Sequence, residues 1–151
     1  MTQEGGTILV VDDEQMVTGN LELLLRMEST HEAVVFNRPE DAVAHLEQHE
    51  VDVVLSDFMM PGLNGLQLLN KAKELRPTAS RLLLTGYADK DSAIKAINDV
   101  GLFYYLEKPW DNGDLLLILR NAVERSRLLR SLADRTGSLN DMREQIWKLL
   151  I

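Results

Sequence analysis

Apolar residues in the first 110 positions follow two alternating rhythms. Short β-rich runs fall at Thr7–Val11 (TILVV), Ala33–Phe36 (AVVF), Val51–Ser56 (VDVVLS), Arg81–Thr85 (RLLLT) and Leu102–Leu106 (LFYYL). The first, third and fourth are almost continuously apolar, as strands covered on both faces of a parallel sheet must be. Helical spacing fills the gaps, over roughly Gln15–Glu28, Pro39–Gln48, Gly65–Leu75 and Asp89–Asp99. Val17, Leu21, Leu24 and Leu25 form an i, i+4, i+7, i+8 stripe. Pro39 suits a first helical turn and Pro77 closes the third helix. Strand and helix alternate five times, which predicts an open α/β sheet with right-handed crossovers and helices on both faces. In such sheets ligands bind at the carboxyl ends of the strands, where the strand order reverses.

Past residue 110 the rhythm changes. A fifth helix is expected from Asp111 or Asn112 to about Arg135, with Leu115, Ile118, Ala122, Leu129 and Leu132 at heptad-like spacing broken by Arg125. Gly137 ends it. Ser138 and Asp141 then form an S-x-x-D capping box ahead of Leu139, Met142, Ile146, Leu149 and Leu150, predicting a separate short amphipathic helix. The division expected is a domain over residues 6–126 and a helical extension or linker over 127–151, leading toward an absent or separate output.

Composition narrows the class without changing it. The chain has 151 residues, 45% hydrophobic and 26% charged, and no cysteine, so neither a disulfide framework nor a thiolate metal site is available. No apolar stretch reaches membrane-span length, and the amino terminus does not read as a secretion signal; a cytoplasmic protein is the simplest expectation. Of the net charge of −8, the body carries the acid: 18 acidic against 9 basic side chains up to residue 110, and 6 against 7 beyond it. An acidic body argues against direct nucleic-acid binding. The arginines at 120, 125, 127, 130, 135 and 143 read as solvated edges of a long helix.

The strand-end rule gathers the chemistry. Asp12 and Asp13 follow the first strand and Asp57 the third, so three carboxylates should share one crevice. Their mutual repulsion calls for a hard cation, and oxygen-only donors suit Mg²⁺. The fourth strand ends in Thr85–Gly86 and the fifth in Lys108–Pro109, setting a hydroxyl and an ammonium against the acidic cluster. The Lys108–Pro109 bond is a candidate for a cis peptide. A carboxylate nucleophile, a metal, a hydroxyl and a cation together meet the needs of in-line phosphoryl transfer to Asp57.

The segments VVDDE, SDFMMPGLNG, LLLTGY and YYLEKPW, in that order and strand context, resemble the receiver domains of two-component response regulators, the chemotaxis-regulator-like family. The likeness spans about Thr7 to Val123. It implies a flavodoxin-like (βα)5 sheet of order 2-1-3-4-5, with an extended C-terminal helix here. It further implies that Asp57 accepts a phosphoryl group from the phospho-His of a sensor histidine kinase or phosphotransfer protein. Asp13, Asp57 and the Met59 backbone carbonyl would ligate Mg²⁺, with Asp12 acting mainly through metal-bound water. Lys108 would pair with the phosphoryl group, Thr85 would be the switch hydroxyl and Tyr105 the aromatic that turns inward with it. The remodelled face would comprise the fourth helical segment, fifth strand and fifth helix. Met59 and Tyr87 occupy the positions that tune loss of the phosphoryl group; both are bulky and neither has a carboxylate or amide to orient water, which predicts a long-lived phospho-Asp.

Blander readings exist for each residue alone: Asp12–Asp13 as a helix cap, Asp57 as a turn residue before Pro61–Gly62, Thr85 as an ordinary strand end. Their joint occurrence decides against them. His45 and His49 read as a solvated helix face, Asp52 as the exposed end of a strand, and Trp110 as packing at the start of the fifth helix. Trp147 is ambiguous between core cover and partner contact. The alternative function is a haloacid-dehalogenase-like Mg²⁺-dependent phosphatase, which would want two Asp residues spaced two apart on the first strand and a cap insertion. A receiver would instead be a self-phosphorylating and self-dephosphorylating switch, not a turnover enzyme. The heptad-like tail predicts a homodimer through the fifth helix and extension; receivers joined by such a helix to cyclic-dinucleotide phosphodiesterases or cyclases offer one kind of output.

Overall fold

The computed structural model describes residues 5–86, 91, 94, 100–136 and 139–150, side chains of 135–142 apart. Five strands, β1 (Thr7–Val11), β2 (Glu32–Phe36), β3 (Val53–Asp57), β4 (Ser80–Thr85) and β5 (Tyr104–Glu107), form one sheet. All pairings are parallel and the order is β2-β1-β3-β4-β5. The described helices are α1 (Gln15–Glu28), α2 (Pro39–Gln48), α3 (Gly65–Leu75), the long α4 (Asn112–Thr136) and the terminal α5 (Leu139–Leu150). The expected helix over Asp89–Asp99 lies outside the described residues except for Asp91 and Ile94, as do Tyr87, Gly137 and Ser138.

The period-2 alternation of β1 divides the core. Leu9 and Val11, with Val54 and Leu83, face α2 and α3 through Ala42, Leu46, Leu68 and Leu69. Ile8 and Val10, with Val53, Leu55, Leu82 and Leu84, face α1 and α4 through Leu21, Leu25, Leu115, Leu119 and Ala122. Both sheet faces are therefore dry, which is why the inner strands are uniformly apolar. Among the described residues no helix is long and apolar enough to cross a membrane.

Two expectations are corrected. Asp52 is not at an exposed strand end: it is 6% exposed and precedes β3. Its carboxylate accepts the Thr7 N–H at 2.8 Å and an Arg130 N–H at 3.0 Å. The arginines of α4 are correspondingly not all solvated. Arg127 donates to the Gly5 carbonyl at 2.8 Å, Arg130 also donates to the Val51 carbonyl at 3.3 Å, and Arg125 lies over the Phe103 ring. Arg120 does sit on an open face, paired with Glu124 at i, i+4. The α4 helix is thus held across the amino ends of the strands by guanidinium contacts that periodicity alone does not reveal.

Candidate functional site

Register puts the strand ends in line. Val11 aligns with Phe36 on one side and Ser56 on the other, Asp57 with Leu84, and Thr85 with Glu107. The residues at or just beyond those ends are therefore, across the sheet, Asn37, Asp12 and Asp13, Asp57, Thr85 and Lys108.

Each is fixed locally. The Asp12 N–H donates to the Phe36 carbonyl at 3.2 Å, and its side chain accepts the Glu14 N–H at 2.9 Å, turning the chain into α1. After β3 the Phe58 N–H donates to the Leu84 carbonyl at 2.9 Å. Gly62 takes a left-handed φ of +82° within the turn, a conformation glycine adopts without steric penalty. Asn64 and Gln67 form a reciprocal capping box that starts α3. Gly65 lies so close to β3 that an added Cβ would collide with the Asp57 carbonyl. The Lys108–Pro109 peptide is cis, and the Lys108 N–H donates to the Thr85 carbonyl at 2.8 Å.

One oxygen each of Asp12, Asp13 and Asp57 lies within 4.8 Å of the others. Asp12 is fully buried, Asp57 is 7% exposed, and Asp13 faces solvent. The Lys108 ammonium bridges the two buried carboxylates, 2.9 Å from Asp12 and 3.0 Å from Asp57. Burial, reinforced by the Asp12 charge, pushes the Asp57 carboxyl above its ordinary range despite the pull of Lys108. Burial also opposes the charge on Lys108, but its bonds to Asp12 and Asp57 outweigh that and raise it. Three carboxylates against one ammonium leave an excess of negative charge, and the donors are all oxygen. The cluster can hold a hard divalent cation.

The other predicted residues are placed around it. Thr85 is fully buried, its hydroxyl donating to the Leu106 carbonyl at 3.4 Å. Tyr105 is half-buried against the α2–α3 side of the core, with its ring stacked on Tyr104. Met59 is 60% exposed in the loop after Asp57. Trp110 packs at the entry to α4, its indole donating to Asn112. His45, in the last turn of α2, and His49, just past its end, lie ring to ring. Sequence reasoning missed Gly65 and Asn37. The strand-end rule, applied to β2 as it was to the other strands, points straight at Asn37.

The family model for the response regulator receiver domain matches residues 8–120. The chain belongs to the response regulator receiver family. Among curated relatives, the hydrogenase transcriptional regulatory protein HoxA of Cupriavidus necator is 34% identical over 82% of this chain. The chain spans about a quarter of that protein's length, as it does of the related regulators. Among solved structures, a receiver domain protein of Clostridium thermocellum superposes with a TM-score of 0.75 at 34% identity, covering 82% of this chain and 98% of that one. The receiver of an HD domain-containing protein of Pseudomonas fluorescens Pf-5 gives the same score and identity, covering 83% and 98%. As a receiver, the chain is a two-component signalling domain with a flavodoxin-like sheet. The phosphatase alternative is not favoured: receivers as a family signal through phosphorylation and are not turnover enzymes.

Proposed function

We propose that this receiver takes a phosphoryl group onto Asp57 from the phospho-His of a histidine kinase or phosphotransfer protein, with Mg²⁺. The observation that carries this reading is Lys108 bridging Asp57 and Asp12 beside Asp13. That set combines a nucleophilic oxygen, a counter-charge for phosphate oxygens and unneutralised carboxylates for a metal. Asp12 already spends both oxygens, one on the Glu14 N–H and one on Lys108. Asp13, Asp57 and the Met59 carbonyl would then hold the Mg²⁺ directly, with Asp12 acting through water. Bound Mg²⁺ supplies positive charge against the phosphoryl oxygens.

In the transfer, an Asp57 carboxylate oxygen forms the new O–P bond as the P–N bond of the phosphoimidazole breaks. The departing imidazole keeps the nitrogen lone pair and takes its proton from solvent. Lys108 gives up its contact to Asp57 for the phosphoryl group, and the Thr85 hydroxyl exchanges the Leu106 carbonyl for a phosphoryl oxygen. Tyr105 turns inward into the space Thr85 vacates, so added charge at one strand end biases the β5–α4 face between two arrangements. Neither Met59 nor Tyr87 carries a carboxylate or amide to orient water for attack on the acyl phosphate, so the phosphorylated state is long-lived.

Residues 6–126 act as the switch and 127–151 as the extension that carries its output. Exposed Trp147, Leu149 and Leu150 on amphipathic α5 suit pairing with a second copy through α4 and the tail; light scattering that finds only monomer, with and without a phosphoryl mimic, refutes that pairing. The central experiment is incubation with acetyl phosphate and Mg²⁺. One acid-labile phosphate per chain, absent in Asp57→Asn, is expected. Continuous release of phosphate from esters without a stoichiometric adduct would overturn the proposal.

A further inference from the structure

The turn bearing Asp12 and Asp13 is not held by its own strand alone. The Asn37 side-chain amide, just beyond β2, donates to the Asp12 carbonyl at 2.8 Å and to the Thr18 hydroxyl at 3.0 Å. Thr18 is buried in the first turns of α1 and passes its own proton to the Gln15 carbonyl at 3.1 Å. The Asp12 peptide is thus clamped at both ends from β2: its N–H by the Phe36 carbonyl and its C=O by Asn37. Asn37 also lines a cleft of about 290 Å³ together with Asp13 and Gly62, the turn residue after Asp57.

We infer that Asn37 is a positioning residue for the cation site, fixing the β1–α1 turn so that Asp13 faces Asp57. The physical case begins with the oxygens of Asp12. With both committed, this carboxylate is immobile, while Asp13 has an exposed side chain whose direction is set by the backbone between Asp12 and Glu14. That backbone also sits among mutually repelling carboxylates, which push the turn away from Asp57 whenever no cation is bound. A rigid brace outside the ligand set lowers the reorganisation needed on binding, as outer-shell hydrogen bonds do for other metal ligands. An amide is suited to the task because a single NH₂ offers two protons to two acceptors on different elements. A hydroxyl is too short to span both. Asp at this position has no proton to give, and would set a carboxylate against the Asp12 carbonyl.

This inference rests on the reading that the acidic cluster holds Mg²⁺, and the test separates the two. The intrinsic fluorescence of Trp110, which lies two residues past Lys108, is titrated with Mg²⁺ in the full chain carrying Trp147→Phe to remove the second indole. Asn37→Leu keeps the shape and removes the amide, and Asn37→Ala is the smaller alternative should Leu fail to fold. Both are expected to weaken Mg²⁺ about tenfold while every ligand stays in place. Phosphorylation from acetyl phosphate should be slowed at low Mg²⁺ and restored at saturating Mg²⁺. A merely structural role predicts a lower Tm with an unchanged Mg²⁺ titration, and that outcome overturns the inference. Absence of any Mg²⁺-dependent signal in the parent, confirmed by calorimetry, overturns the metal reading itself.

Discussion

Lys108→Met removes the positive charge that Asp12 and Asp57 share while keeping much of the side chain's length. Each contact is near 3 Å, where two unit charges at an effective dielectric of about 20 attract by about 5–6 kcal/mol. Desolvating the three ions, of which Asp12 is fully buried, offsets most of that sum, and breaking a buried pair costs about 3–5 kcal/mol when one charge is left stranded. The Lys108 side chain is 22% exposed, so water reaches the site and the expected loss is about 2–3 kcal/mol in urea unfolding with a chelator present.

Asp57→Asn supplies the control. Its carboxyl is raised above the ordinary 3.8, first by burial. Between the unfolded and folded values the folded protein therefore binds the extra proton, and stability falls as pH rises through that window. Ionised Asp57 is thus a net burden at neutral pH without a cation, and Asp57→Asn should stabilise the chelated protein. Combined with Asp57→Asn, the Lys108→Met change should cost about 1–2 kcal/mol, less than in the parent, since one stranded carboxylate, Asp12 with its Glu14 N–H, remains in place of two. Millimolar Mg²⁺ should recover most of the loss in the Lys108→Met single variant. Equal losses with and without Asp57→Asn, or a chelated Lys108→Met within about 0.5 kcal/mol of the parent, would refute the charge argument.

Other outcomes follow from contacts elsewhere. Arg130→Met leaves Asp52 with the Thr7 N–H as its remaining hydrogen bond among the described residues and should cost about 2–3 kcal/mol, whereas Arg120→Met, on an exposed helix face, should stay within about 0.5 kcal/mol; denaturant melts at pH 7 distinguish the two. His31 is held below its ordinary 6.5, first by burial and then by Arg127, and its Nδ1 accepts the Gly6 N–H at 2.9 Å. That acceptor is lost on protonation, so stability is full above about pH 6.5 and falls as pH drops below it; His31→Gln should flatten this part of the pH profile. Gly65→Ala forces a methyl group against the Asp57 carbonyl, costing about 1–3 kcal/mol and slowing phosphorylation from acetyl phosphate at saturating Mg²⁺.

What the sequence made legible was whatever a local rhythm encodes. The helices Gln15–Glu28, Pro39–Gln48 and Gly65–Leu75 have the bounds their spacing predicts, because each buries one stripe and meets a proline, a cap or a polar break at its ends. Strand limits were less readable. Val51 and Asp52 look like the start of β3, yet Asp52 is turned aside to take the Thr7 N–H and Arg130, contacts 45 and 78 residues away in sequence. The cluster of Asp12, Asp13, Asp57, Thr85 and Lys108 was legible because one rule of the fold, strand ends on one side, converts five distant residues into neighbours.

The same rule explains what was missed. It was applied where strand ends carried charge or a hydroxyl, and Asn37 carries neither, although β2 ends in register with β1. An amide contributes to such a site through protons given to backbone and hydroxyl acceptors, a role with no signature in charge or spacing. The arginines of α4 were misjudged for a related reason. Their guanidinium groups are exposed or buried according to what lies beneath the helix, and a helix longer than the sheet it covers must carry cations over the strands' amino ends to meet Asp52, Glu50 and backbone carbonyls. Both ends of this sheet are therefore organised by charge: carboxylates converge at the carboxyl ends where a cation is wanted, and arginines at the amino ends fix the helix that leads away from the switch. Arg127 and Arg130 lie in the extension expected from residue 127 onward, and both hold α4 to the backbone and carboxylate just before β1 and β3.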